Sequence, residues 1–147
     1  MRFIPNIKED IKELEFLISN GEGEQLDFKQ SITSQKKIAR TLVAFANNGG
    51  GKLLIGVKDN GELCGCDTEQ EMYMIDEGAK KFCKPPLEVI FSIYEKDNSL
   101  SILEVEVLKS FKEPHVAKDE HDKWQLYIRD NDKTIVALNK QHENEEE

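Results

Sequence analysis

The chain has 147 residues, 38% of them hydrophobic and 33% charged, the size and balance of one globular domain with a charge-rich surface. A net charge of −9, from 29 acidic against 20 basic residues, argues against broad nonspecific binding to nucleic acid, which draws on phosphate neutralisation, but leaves room for a local basic groove. No apolar run approaches the roughly 20 residues of a membrane span and no signal-type apolar segment follows Met1, so a cytoplasmic location without a membrane partner is expected.

Pro5 to Asn20 reads as an amphipathic helix with Ile7, Ile11, Leu14 and Leu17 or Ile18 on one side, closed by Asn20-Gly21. This gives an N-terminal helix over 1–20, a domain over 21–140 and an acidic, disordered tail over 141–147. Gln25 to Gln30 alternates as a strand, with Leu26 and Phe28 opposite Asp27 and Lys29. Ser34 is placed to cap a helix carrying Ile38, Leu42, Phe45 and Ala46. Asn47-Asn48-Gly49-Gly50-Gly51 ends that helix in a tight reversal, because glycine takes left-handed backbone angles cheaply. Leu53 to Val57 then reads as a strand buried on both faces. Asp59-Asn60-Gly61 predicts a type I′ hairpin, with Glu62 to Cys66 as the return strand. Thr68 caps a third helix with Met72, Ile75, Ala79 and Phe82, which must stop before Pro85-Pro86.

The second half is mostly β. Glu88 to Glu95 and Leu100 to Leu108 alternate on either side of an Asp97-Asn98-Ser99 turn. A polar loop, Lys109 to Lys123, precedes a strand over Trp124 to Arg129, and Thr134 to Leu138 forms a last short strand or helical turn. The order predicts a single α+β domain, a mixed and mostly antiparallel sheet packed with about three helices.

One combination of motifs is specific. Gly21-Glu22 leads into Leu26-Asp27-Phe28-Lys29, Ala44-Phe45-Ala46-Asn47 runs into Gly49-Gly50, and Leu54-Ile55-Gly56-Val57 precedes Asp59 and Gly65. Later come Pro114-His115 and Tyr127-Ile128-Arg129. From Gly21 to Ala137 the chain resembles the AlbA_2 family of DNA-binding domains, also called Schlafen-like or divergent AAA-4. The resemblance implies a nucleic-acid-binding module, DNA or RNA, of the kind fused to ATPase or helix-turn-helix regions in prokaryotic regulators, and so a role in transcription regulation. It equally raises a divalent-metal-dependent endoribonuclease of Schlafen type, whose three carboxylates would fall at Glu22, Asp27 and Asp59 and would hold Mg²⁺ or Mn²⁺. Glu24 is a weaker substitute for Glu22. The sequence carries one lobe where Schlafen relatives have two, so a homodimer that rebuilds the groove is expected.

Each site residue also has a plain structural reading. Asp59 can simply open the Asn-Gly turn, and acidic clusters arise by chance in so acidic a chain. Lys29, Lys36, Arg40, Lys112, His115 and Arg129 are the nucleic-acid-binding candidates if the sheet gathers them into a positive rim; otherwise they are surface charge paired with acids. His115 reads as a loop hydrogen-bonding residue, and Trp124 and Tyr127 as core or edge residues. The glycine run follows a helix rather than leading into one, so the carbonyl-rich end would repel phosphate and ATP hydrolysis by this chain alone is not expected. Cys64, Cys66 and Cys83 lack zinc spacing and read as reduced thiols. A protein-interaction adaptor that has lost nucleic-acid binding is the third reading.

Overall fold

In the computed structural model, which describes residues 3–96, 100–111 and 114–137, the chain runs β1 (Asn6–Lys8), α1 (Ile11–Asn20), β2 (Leu26–Lys29), α2 (Gln35–Asn47), β3 (Gly51–Ile55), α3 (Thr68–Lys81) and β4 (Cys83–Lys84). It continues through β5 (Val89–Lys96), β6 (Leu100–Val107), β7 (Val116–Lys118), β8 (Trp124–Gln125), β9 (Tyr127–Asp130) and β10 (Lys133–Val136). A five-stranded sheet has the order β1-β5-β6-β3-β2; β5, β6 and β3 are antiparallel, and β1 and β2 join the edges in parallel. Strands β4, β7 and β8 form a second small sheet, and β9 and β10 a hairpin. The architecture is α+β, mixed and mostly antiparallel, as the sequence pattern predicts.

Helix α2 is the hub. Its cap is Ser34, whose hydroxyl accepts from the Lys37 N–H at 3.1 Å. From Thr41 to Ala46 every residue is buried, and a helix enclosed on all sides has no polar face to spare. One side packs on Leu53, Ile55, Leu103 and Val105 of the sheet, and others on Met72, Ile75 and Ala79 of α3 and on Ala117 and Tyr127. Helix α1 covers the opposite sheet face, setting Leu14 against Leu26, Phe28, Leu54, Tyr94 and Ile102. Strand β3 is therefore apolar on successive positions because both of its faces are covered. After α2 the chain turns through Gly49 and Gly50 at φ 88° and 91°, and the Gly50 N–H donates to Phe45 O at 2.8 Å. Among the described residues no helix is long and apolar enough to cross a membrane.

Several local expectations are corrected. The first helix starts at Ile11, not Pro5, because the Asp10 side chain caps it by accepting from the Lys12 N–H. The residues ahead of it form β1, which pairs with β5 and leaves Ile7 60% exposed instead of on a helical face. The hairpin is not type I′: Asn60 does not have positive φ, and the Gly61 N–H closes a turn onto Lys58 O before Gly61 itself takes φ 89°. Its return limb is held by the isolated bridge of Leu63 to Val57 and by single bonds such as Lys58 N–H to Glu62 O and Cys64 N–H to Gly56 O, and does not form a strand. Asp67 rather than Thr68 caps α3. The supposed loop from Lys109 to Lys123 contains β7, and the strand expected over Trp124 to Arg129 is broken at Leu126 into β8 and β9. The last segment is a strand, β10. The Asp97-Asn98-Ser99 turn, Lys112, Leu138 and the acidic tail lie outside the described residues.

Candidate nucleic-acid interface

Strand β2 lies at the sheet edge with Leu26 and Phe28 turned into the α1 core, so alternation turns Asp27 and Lys29 toward α2. There Asp27 is only 4% exposed. Its carboxylate lies 3.4 Å from Lys29 Nζ and 3.9 Å from Arg129 Nη2. Glu22 stands beside it and accepts from the Phe28 N–H at 3.3 Å. Burial raises both carboxyls above their ordinary values; the charge of Asp27 pushes Glu22 further, and Lys29 and Arg129 only partly restrain Asp27. Asp59 sits exposed on the hairpin turn and adds to the repulsion on Glu22. Among the described residues no three His, Cys, Asp or Glu side chains are grouped so as to hold a metal ion. As arranged, the acids do not fit a three-carboxylate metal site, because Asp27 already faces two cations and Asp59 sits out on the turn.

The sequence-predicted basic residues separate into two kinds. Arg129 is 2% exposed and ties the β9–β10 hairpin to β2: Nη2 donates to Gly23 O at 2.7 Å and Nη1 to Thr134 Oγ1 at 3.2 Å, and the guanidinium lies 4.9 Å from the Phe45 ring centroid. Burial lowers its pKa, with Asp27 and Glu22 opposing, and its Nε has no partner. Arg40 is half-buried, its Nε donating to Lys118 O at 2.8 Å. His115 is likewise half-buried, with Nδ1 and Pro85 O 2.7 Å apart and its N–H donating to Asn47 Oδ1 at 2.9 Å. Asn47 Nδ2 in turn donates to His115 O and Tyr127 O. The motif residues Asn47, His115, Tyr127 and Arg129 therefore lash the later strands to α2.

Lys29 and Lys36 are open. Lys36 reaches Asp122 at the tip of the β7–β8 hairpin. Lys29 joins Lys37, Ser31, Thr33, Ser34 and Thr41 along a groove of ≈ 240 Å³ between the end of β2 and the start of α2. The first turn of α2 holds no acidic residue, so the groove combines ammonium groups, hydroxyls and a helix N-terminus. Its floor is fixed by Glu71 of α3, a buried carboxylate that accepts from the Ile32 N–H at 2.8 Å. The sequence reading missed Ser31, Thr33 and Glu71. The run Ser31-Ile32-Thr33-Ser34 ahead of a helix was a usable signal; Glu71, 39 positions away from Ile32, gave none.

The family model for the Schlafen AlbA_2 domain matches residues 22–138. Among solved structures, the chain is similar to the N-terminal domain, determined by solution NMR, of the putative ATP-dependent DNA helicase RecG-related protein from Nitrosomonas europaea. The two share 21% identity over 71% of this chain and 75% of that one, with a TM-score of 0.53, a likeness of fold. No curated protein matches. With most of its length matched, from Glu22 onward, and its motif residues converging on one helix, the chain belongs to the Schlafen AlbA_2 family.

Proposed function

We propose that this domain binds nucleic acid, DNA or RNA, by its phosphate backbone along the β2–α2 groove. The carrying observation is the convergence of Lys29, Lys37 and four hydroxyl side chains, Ser31, Thr33, Ser34 and Thr41, about the start of α2. Backbone N–H groups, hydroxyls and lysines are the donors that phosphate oxygens take. The family, and the helicase name carried by the RecG-related neighbour, support the same reading. Lys36 extends the rim from the next position of α2. Arg40, His115 and Arg129 act in this reading by positioning, since their side chains are held inside the fold. Lys112 belongs to the same proposal by sequence. So do action as a regulatory DNA-binding module and a homodimer that rebuilds a two-lobed groove.

The test is a gel-shift and anisotropy series with DNA and RNA across salt concentrations. Each lost phosphate contact flattens the slope of log affinity against log salt by about 0.7–0.9. Lys29→Ala with Lys37→Ala should weaken binding and flatten the slope by about two contacts on that scale. Unchanged binding in the double variant would place the interface elsewhere. Sedimentation of the full chain tests the dimer, and incubation of RNA with Mn²⁺, comparing Asp27→Ala, tests the nuclease alternative.

A further inference from the structure

The small sheet β4-β7-β8 presents an aromatic ring that the groove does not use. Trp124, the only tryptophan in the chain, is 40% exposed. Strand pairing sets Trp124 directly across from Lys118, and Lys84 opposite Val116, two residues along the same strand. Alternation then puts Lys84, Lys118 and Trp124 on one face, and the buried Cys83 and Ala117 on the other. Lys84 Nζ lies 5.7 Å and Lys118 Nζ 5.4 Å from the indole centroid. In a chain this acidic, two ammonium groups gathered at one aromatic ring are informative.

The nearby acids are largely spoken for. Asp119 accepts from the His121 and Lys123 N–H groups and from Gln125 Nε2, and those bonds, led by Lys123, hold its carboxyl down to about 2. Asp122 is engaged by Lys36. Glu120 remains exposed at the tip. The sheet is fastened to α2 through Arg40, whose Nε donates to Lys118 O, so the ring and the β2–α2 groove both lie against that helix.

We infer that Trp124 is a stacking platform for one unpaired nucleobase, with Lys84 and Lys118 taking the phosphates on either side of it. The ligand is accordingly single-stranded nucleic acid, since a paired base cannot present its face to the indole. This rests on the reading of the groove as a phosphate track and adds the base contact which that groove lacks. An exposed cation–π contact is weaker than base–indole stacking, so an arriving base displaces the ammonium groups from the ring toward its own phosphates. Stacking tolerates every base, and the site confers a preference for strandedness rather than sequence.

Because there is a single tryptophan, its fluorescence reports this site alone. The full chain is titrated with a short single-stranded oligonucleotide, its duplex, an abasic strand of equal length and polyglutamate. The single strand is expected to quench Trp124 saturably, with little change from the duplex or the abasic strand. Trp124→Ala should lower single-strand affinity about 5- to 150-fold, the span of one lost stack, and leave duplex affinity within about twofold. Trp124→Phe should retain part of the difference, and circular dichroism of both variants verifies the fold. Unquenched fluorescence while the single strand binds by gel shift overturns the platform and leaves the groove standing. Quenching by polyglutamate but not by the single strand assigns the ring to an acidic protein partner instead. No binding of any nucleic acid overturns both.

Discussion

Replacing Arg129 with Met removes the guanidinium but keeps a side chain of similar reach. Several favourable contacts go, including a long hydrogen bond to Leu26 O. The charge-assisted hydrogen bonds to Gly23 O and Thr134 Oγ1 are worth roughly 1.5–3 kcal/mol each, and the buried stack on Phe45 about 2 kcal/mol. At 3.9 Å the attraction to Asp27 is about 4 kcal/mol for an effective dielectric near 20, most of it already spent on desolvating the two groups. Against these losses, the variant no longer buries the unpartnered Nε, a relief of about 1–3 kcal/mol, and Met still packs. The expected net destabilisation is about 3 kcal/mol, in the range for breaking a buried charge pair. At roughly 2–4 °C per kcal/mol for a domain near this size, the melting temperature should fall by about 6–12 °C. The deficit also depends on pH. Asp27 already has a native pKa above 3.8, and losing a cation raises it further. A group raised in the native state contributes stability that is complete below its unfolded pKa and lost as pH rises through its native one. The deficit of Arg129→Met relative to the natural chain should therefore be larger at pH 7 than at pH 4. Paired urea melts at the two values measure this. A deficit below about 1 kcal/mol at pH 7, or an equal deficit at both, would falsify the reading of Arg129 as the buried counter-charge.

Three further outcomes follow from the same contacts. Asp27→Asn removes a carboxyl whose raised native pKa makes stability fall as pH rises, so the variant's stability should vary less between pH 4 and pH 7 than that of the natural chain; an unchanged pH dependence in paired urea melts would refute this. Gly51→Ala would set a Cβ 2.8 Å from Phe45 Cγ and closer still to Cδ1, pushing on the fully buried ring that carries Arg129; a loss of about 1–3 kcal/mol in urea unfolding is expected. Ser34→Ala removes the acceptor for the Lys37 N–H and should cost about 1 kcal/mol by the same measurement, with Ser34→Asp restoring most of it.

What the sequence showed and what it hid divide along a physical line. The unit from Ser34 to Ile55 was legible because its determinants are local: a capping hydroxyl, apolar residues at helical spacing, glycines at the reversal and an uninterrupted apolar strand. Strand β1 was not, because Asn6-Ile7-Lys8 has no strand character of its own and is held by pairing with Ser92-Ile93-Tyr94, far along the chain. The same non-locality concealed Glu104. Only assembly shows it 2% exposed, between Lys8 and Lys52 and 3.3 Å from the Tyr94 hydroxyl.

At the site, motif resemblance brought Asp27, Lys29 and Arg129 together, and the structure does place them around one carboxylate. Burial was the part no motif revealed. Arg129 reads from the sequence as a strand-end cation free to meet phosphate, yet it is enclosed by Phe45, Gly23 and Thr134. Among the cations that face outward, Lys29 and Lys37 line the groove and Lys84 and Lys118 stand beside Trp124. In a chain of net charge −9, the proposed binding of a polyanion is favoured by internal pairing of the acids near these positions, as of Asp122 with Lys36 and of Asp119 with the hairpin amides. Exchanging Asp122 for Asn should accordingly strengthen binding by freeing Lys36 while leaving the fold intact. A weaker complex would mean that the Lys36–Asp122 pair serves to hold the small sheet in place, and that charge balance is not what sets affinity here.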